Sequence, residues 1–355
     1  MTRGSSGLTV KSALPTIHRV MNQANVPAHS LLAAVELGLE TALKQETRHG
    51  ALPLLAAARH LTFGGSAKRI RPRLVLNAAD VVGAAGPENQ QGIVDAAVAG
   101  ELIHTASLLH DDVVDDGTLR RGRPTANALW GNAVAVLSGD LLLSVALGRL
   151  RGYPAELTAR GVEVVLEMSR ASMLETQGRR DLDLGPAGWR EIALGKTGAL
   201  FGWCCAAPAW LTGNRDFAER LSRCGMHLGV AFQLADDILD LEGSEEGDKN
   251  RFADLTSGNP SFPILTGAAS SRVLRDAVAR LWEAEDPSRD DVVRVGALLL
   301  AHGCAARTRE AIGVELEHAR AALGSELEQR GAERLLAWAS ERWGTASATE
   351  RRACG

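Results

Sequence analysis

Along most of the chain, apolar residues recur at steps of three and four, the period of one face of an α-helix. The run Val98, Leu102, Ala106, Leu109 and Val113 is representative. There is no sustained period-two alternation of valine, isoleucine and threonine bounded by turns, so no strands are predicted. Glycine and proline clusters interrupt the pattern at AAGPENQQG (84–92), GRLRGYP (148–154), LGPAGW (184–189) and SGNPSFP (257–263), and the pieces between them are the length of helices or helix pairs. No repeat of fixed period emerges, which argues against a solenoid. The pattern therefore predicts an all-α protein with one large helical domain over 29–344. Polar tails at 1–28 and 345–355 are expected to lack regular structure. The most hydrophobic stretch, AVAVLSGDLLLSVALG, is interrupted by Gly139 and Asp140. It is short for a membrane span and reads as a buried core helix.

Composition adds limits more than content. With 45% hydrophobic and 23% charged residues, the chain has ordinary globular proportions and enough apolar material for a sizeable core. A net charge of -4 gives no overall attraction to nucleic acid or an anionic membrane, so any phosphate site must be local. The five cysteines, Cys204, Cys205, Cys224, Cys304 and Cys354, have no zinc-site spacing. So few in a large chain suggest a reduced, cytoplasmic protein. Cys354 is too near the end for a prenylation box, and MTRGSSGLTVKSALP lacks the apolar core of a secretory signal.

The chemistry begins in ELIHTASLLHDDVVDDGTLRRGRPTANALWGN. On a helix, His104, Ser107, Asp111 and Asp115 share one face. Asp111, Asp112, Asp115 and Asp116 crowd negative charge onto the last turns, where the helix dipole disfavours it. Gly117 is expected to end the helix, and Arg120, Arg121 and Arg123 follow. A hard divalent cation with a phosphate bridging it to the arginines fits this arrangement. A solvated acidic cap beside a basic loop fits it equally when the segment is taken alone. A second segment, MHLGVAFQLADDILDLEGSEEGDKN, changes the balance: Asp236, Asp237 and Asp240 form another acidic helix end, with Gln233 on the same face and Lys249 beyond. Two such helices facing across a pocket can chelate magnesium, which takes few carboxylates and completes its shell with phosphate oxygens.

Two further segments are basic. FGGSAKRIRPRLVL gathers Lys68, Arg69, Arg71 and Arg73 around Pro72; Pro72 suits the first helical position, and a helix N-terminus attracts anions. An ordinary basic loop explains this segment too. LGKTGALFGW sets Lys196 and Thr197 in an apolar helical stretch, where a buried lysine needs a diphosphate oxygen or an acidic neighbour.

With HTASLLHDDVVDD, RRGRPTAN, KTGALF and AFQLADDILD in that order, the sequence resembles the trans-polyprenyl diphosphate synthases, closest in wording to the medium- and long-chain members. The resemblance runs from about Gly64 to Pro263. It implies an isoprenoid-synthase helical bundle with a central cavity, a homodimer, and Mg2+ (three ions) held by Asp111, Asp115, Asp236 and Asp240, with Asp112 and Asp237 beside them. It further implies isopentenyl diphosphate at Lys68, Arg71, His104 and Arg121, and an allylic diphosphate at Arg120, Lys196, Thr197, Gln233 and Lys249. The departures leave the metal motifs intact and fall mainly on the allylic side. Ser66 and Ala67 are inserted before Lys68, Phe252 and Asn259 stand for a glycine and a lysine, and Glu175 replaces a glutamine unless Gln177 takes that place.

The activity implied is ionisation of the allylic diphosphate, attack by isopentenyl diphosphate, and proton loss. Ser107 and Ala106, which lie about one helical turn before Asp111, are small. The product chain is therefore expected to pass them towards Ile103 and to exceed fifteen carbons. A class I terpene cyclase and a non-catalytic subunit of a heteromeric synthase are the alternatives. Few aromatics and a second diphosphate site argue against the first, and intact aspartate motifs against the second.

Overall fold

The computed structural model describes residues 28–46, 52–65, 67–84, 86–120, 122–243, 251–324 and 330–343. The expected tails therefore lie almost wholly outside the described residues, as do Ser66, Arg121 and Lys249. In chain order the helices are α1 Ala28–Glu46, α2 Leu52–Thr62, α3 Ile70–Val81, α4 Pro87–Val114, α5 Ala126–Trp130, α6 Asn132–Arg149, α7 Ala155–Gln177 and α8 Gly185–Ala193. A π-helical turn, Leu194–Gly198, leads into α9 Ala199–Leu211, followed by α10 Arg215–Glu242, α11 Ala253–Ser257, α12 Phe262–Ser270, α13 Arg272–Glu283, α14 Arg289–Ala301, α15 Cys304–Leu323 and α16 Arg330–Trp343. The described strands form one two-residue antiparallel ladder, β1 Leu119–Arg120 with β2 Arg123–Pro124. All four glycine and proline clusters fall at helix boundaries, as the pattern predicts.

The core is built around α4, which is buried on nearly every side from Gly92 to Ile103. It is enclosed by α3, α6 and α9, in a large apolar cluster that includes Leu74, Leu102, Leu142 and Phe201. Beyond the second acidic motif lies a smaller cluster around Phe252, Leu255, Leu274 and Trp282. The helices α8, α10 and α15 are clamped by Glu315, which accepts from Arg190 Nε at 3.0 Å and pairs with His227 Nδ1 at 2.6 Å. Burial alone would raise the Glu315 carboxyl, but His227 and Arg190 outweigh it and hold it below its usual range.

Three local expectations need correction. The hydrophobic stretch 133–148 forms α6, which is a surface helix: among its residues only Ala135, Ser138, Gly139, Leu142 and Ala146 are buried, and Val136 and Leu137 are exposed. Its all-round apolarity does not imply that neighbours of the same chain cover every face. Both α4 and α6 are long and apolar enough to cross a membrane by composition; the α4 window is 83% buried within the fold and that of α6 only 28%. Pro72 is the third residue of α3, not the first; first-turn N–H groups have no intrahelical acceptor, so proline is tolerated there as well. The helix of the first motif stops at Val114, three residues before Gly117, and Asp115 and Asp116 lie in the turn that follows.

Candidate active site

Both aspartate motifs sit at helix C-termini and meet around the π-helical turn. Lys196 Nζ contacts the Glu175 carboxylate near the end of α7 and lies 3.8 Å from Asp111 Oδ2 on α4. The next residue, Thr197, donates its hydroxyl to Gln233 Oε1 at 3.2 Å, and Gln233 Nε2 donates to Asp237 Oδ1 at 3.2 Å. Consecutive residues of one turn thus touch the first motif and the second. The extra residue of a π-turn re-aims side chains relative to a regular helix, and such turns are frequent at functional sites. Close backbone approach makes this possible: a Cβ on Gly229 of α10 would lie 2.6 Å from Gly198 Cα.

The remaining acids are held individually. Asp112 accepts from Arg120 Nε at 2.7 Å, and Asp115 contacts Arg179. Asp237 Oδ2 accepts the Phe262 N–H at 2.9 Å, fixing the start of α12. Asp240 accepts backbone N–H groups of Ala253 (2.8 Å) and Asp254 (3.2 Å), fixing the start of α11. Asp236 is exposed and Asp237 buried, so the adjacent acids of the second motif divide between the pocket and the scaffold.

Burial raises the carboxyl pKa of Asp111, Asp112, Asp237 and Asp240 above the usual range. Lys196 opposes the shift at Asp111 and Arg120 the one at Asp112, while Glu175 and Asp115 add to that at Asp111. Asp254, half-buried beside Asp240, is pushed up to about 7 by desolvation and by the Asp240 charge, with Glu175 adding to it. Burial would lower Lys196, but Glu175 and then Asp111 outweigh it and hold the ammonium above its ordinary value. An all-oxygen donor set with more negative charge than its cations neutralise suits a hard divalent ion.

The basic segment divides in two. Arg69 is buried, donating from Nε (2.6 Å) and Nη2 (2.9 Å) to Glu36 and from Nη1 (2.8 Å) to Glu101; it locks α1, α3 and α4 together as part of the scaffold. Lys68 is exposed, and the Arg71 guanidinium lies over Phe201 (5.1 Å) and Phe232 (5.7 Å), two rings that also pack against Trp343 of α16. His104 is half-buried on the Asp111 face, whereas His110 turns towards α6, its Nε2 3.1 Å from the Val136 carbonyl.

Of the chain-length positions, Ile103 (1% exposed) and Ala106 (0%) are enclosed in the core, and Ser107 keeps open surface. Phe252 explains its own departure from glycine. It adopts φ 66, a left-handed conformation, and buries its ring against Gly296, where a Cβ would come within 2.3 Å of it. Asn259 belongs to the turn, donating Nδ2 to Asp254 Oδ1 at 2.9 Å. Arg179, Asp254 and the pairing of Glu175 with Lys196 were not anticipated. For Asp254 the available signal was the ADL triplet after the second motif; for Arg179 there was none.

Comparison with known proteins agrees with this geometry. The sequence matches the polyprenyl synthetase family over residues 53–298, more than half of the chain. It is 39% identical over 259 residues to heptaprenyl diphosphate synthase component 2 of Geobacillus stearothermophilus, covering 72% of this chain and 78% of that one. The fold superposes on a decaprenyl diphosphate synthase from Rhodobacter capsulatus with a TM-score of 0.78 and 29% identity, over 90% of this chain and 100% of the other. A polyprenyl synthase from Caulobacter crescentus, solved with calcium and isoprenyl diphosphate, matches with a TM-score of 0.75 and 29% identity, over 91% of this chain and 100% of the other. The motif order, the all-α fold and these matches together place the chain in the polyprenyl synthetase family of prenyltransferases.

Proposed function

We propose that this protein condenses isopentenyl diphosphate with an allylic diphosphate to give all-trans polyprenyl diphosphates longer than fifteen carbons. The observation that carries the reading is the π-helical turn, whose Lys196 and Thr197 join the two acidic helices at one place. Asp111, Asp115, Asp236 and Asp240 would hold Mg2+, three ions in all, and when bound these supply Lewis-acid stabilisation to the departing diphosphate.

The chain's own groups do the rest. Lys196 and Arg120 lie beside the first motif and would add positive charge where the leaving group becomes more negative, while the Thr197 hydroxyl can turn from Gln233 to a diphosphate oxygen. Arg71, Lys68 and His104 would hold the second diphosphate so that its double bond faces the allylic carbon. The proton lost at the end passes to the released diphosphate, and no side-chain nucleophile takes part.

The active form is proposed to be a homodimer. Val136 and Leu137 on α6, with Val162, Leu166, Met173 and Leu174 on α7, leave an apolar surface uncovered, and a second copy is the occupant that would bury it symmetrically. The name of the Geobacillus relative, a "component 2", also raises the reading that a second polypeptide is needed. Purified protein incubated with allylic diphosphates, with and without isopentenyl diphosphate, tests all of this. Elongated products support the proposal, cyclic hydrocarbons would indicate a cyclase, and no product from the chain alone would favour a two-component enzyme.

A further inference from the structure

We infer that Glu175 is a built-in counter-ion of Lys196 that the allylic diphosphate has to displace, and that it thereby sets how tightly diphosphate is held and how readily it leaves. The inference rests on the proposed function, since it assigns Lys196 to the allylic diphosphate.

Three observations meet at this residue. The Glu175 carboxylate is in direct contact with Lys196 Nζ, closer than Asp111 Oδ2 at 3.8 Å, so two carboxylates share one ammonium. The three side chains are largely enclosed, with 28%, 26% and 17% of the Glu175, Lys196 and Asp111 side chains exposed, so solvent screens the pair only in part. Glu175 also sits where the two motifs meet, since the residue after its partner, Thr197, donates to Gln233 on the second motif's helix at 3.2 Å. It is thus a negative charge between the two aspartate motifs, where an anionic ligand would bind.

The consequence is electrostatic. A diphosphate oxygen approaching Lys196 gains one cation but must separate it from Glu175, and it then lies near a carboxylate of its own sign. A neutral amide of the same shape would hydrogen-bond the ammonium without neutralising it. The acid therefore works against retention of diphosphate. On release it recaptures the lysine, which leaves the pocket with less charge to hold the leaving group. Glu175 is a positioning residue: it acts through Lys196 and touches no reacting atom.

The test compares wild type with the isosteric Glu175→Gln variant. Inorganic pyrophosphate is titrated calorimetrically into each protein at saturating Mg2+, and Mg2+ alone is titrated in a parallel series. The variant is expected to bind pyrophosphate about tenfold more tightly, equivalent to about 1.4 kcal/mol, with Mg2+ affinity unchanged. In steady state, KM for the allylic substrate should fall while KM for isopentenyl diphosphate stays put. Equal or weaker pyrophosphate binding by the variant overturns the inference, as does a loss of Mg2+ affinity, which would make Glu175 a metal ligand. A wild type that elongates prenyl chains leaves the proposed function standing whichever way the variant behaves. A wild type that binds no pyrophosphate with Mg2+ present overturns the inference, and one that also fails to elongate removes the proposed function with it.

Discussion

Asp111 and Asp236 are single carboxylates on which the proposed chemistry depends, and each stands in a crowd of like charge. Asp111→Ala and Asp236→Ala should each lower turnover on the order of 10²–10³-fold, comparable to removing one preorganised electrostatic contact. Thermal stability without metal should hold, because deleting one of several crowded acids relieves repulsion; near-normal turnover in either variant would refute the two-motif assignment. Asp254 gives a pH test. Its carboxyl titrates at about 7 in the fold against about 4 in an unfolded chain. The folded state thus favours the neutral acid, a stabilisation complete below pH ~4 and lost as pH rises through about 7. Metal-free Asp254→Asn should therefore gain on wild type in melting temperature between pH 5 and 8. A parallel pair of pH–Tm curves would show that Asp254 does not titrate in this way.

At the scale of elements, the loop after α10 and the face of α4 each make a prediction. Phe252 keeps a left-handed backbone that glycine adopts freely, at a cost of about 1–2 kcal/mol, and offsets it by burying its ring against Gly296 and under Arg251, whose guanidinium lies 4.6 Å away. Phe252→Gly relieves the backbone but empties the core position, and large-to-small changes of this kind cost about 3–5 kcal/mol. Net destabilisation in chemical denaturation is expected; a stabilised variant would mean that the ring contributes little. On α4, Ser107→Phe should shorten the products, read by chromatography after dephosphorylation, because Ser107 has open surface on the aspartate face. Ala106→Phe should instead destabilise by about 1–3 kcal/mol through overpacking, since Ala106 is fully enclosed. If Ser107→Phe leaves the product distribution unchanged, the hydrocarbon does not pass that face.

For the molecule as a whole, the uncovered apolar side chains of α6 and α7 matter most. Leu137→Glu on a proposed dimer interface would bury an unpaired charge and should shift the protein to monomer in sedimentation velocity at micromolar concentration. A wild type that already sediments as a monomer would show that the surface serves something else.

Much of this protein was legible in its sequence. The three-and-four period, the glycine and proline breaks and the two acidic helix ends are local properties, set by residue type and spacing within a few turns, and helices α4 and α10 with their carboxylates follow from them. Even the order of the four motifs pointed to the family. What spacing could not supply was the partner of each charge. Arg69 and Arg71 look alike in FGGSAKRIRPRLVL, yet one is consumed by Glu36 and Glu101 and the other lies over Phe201. Lys196 called for an acid or a phosphate, and the fold supplied Glu175 from α7. The stretch 133–148 is apolar enough for a core helix, and only the packing leaves half its surface bare. A periodic pattern states which face of a helix avoids water, but what covers that face, and which charges meet, depends on residues far apart in the chain that only the tertiary structure brings together.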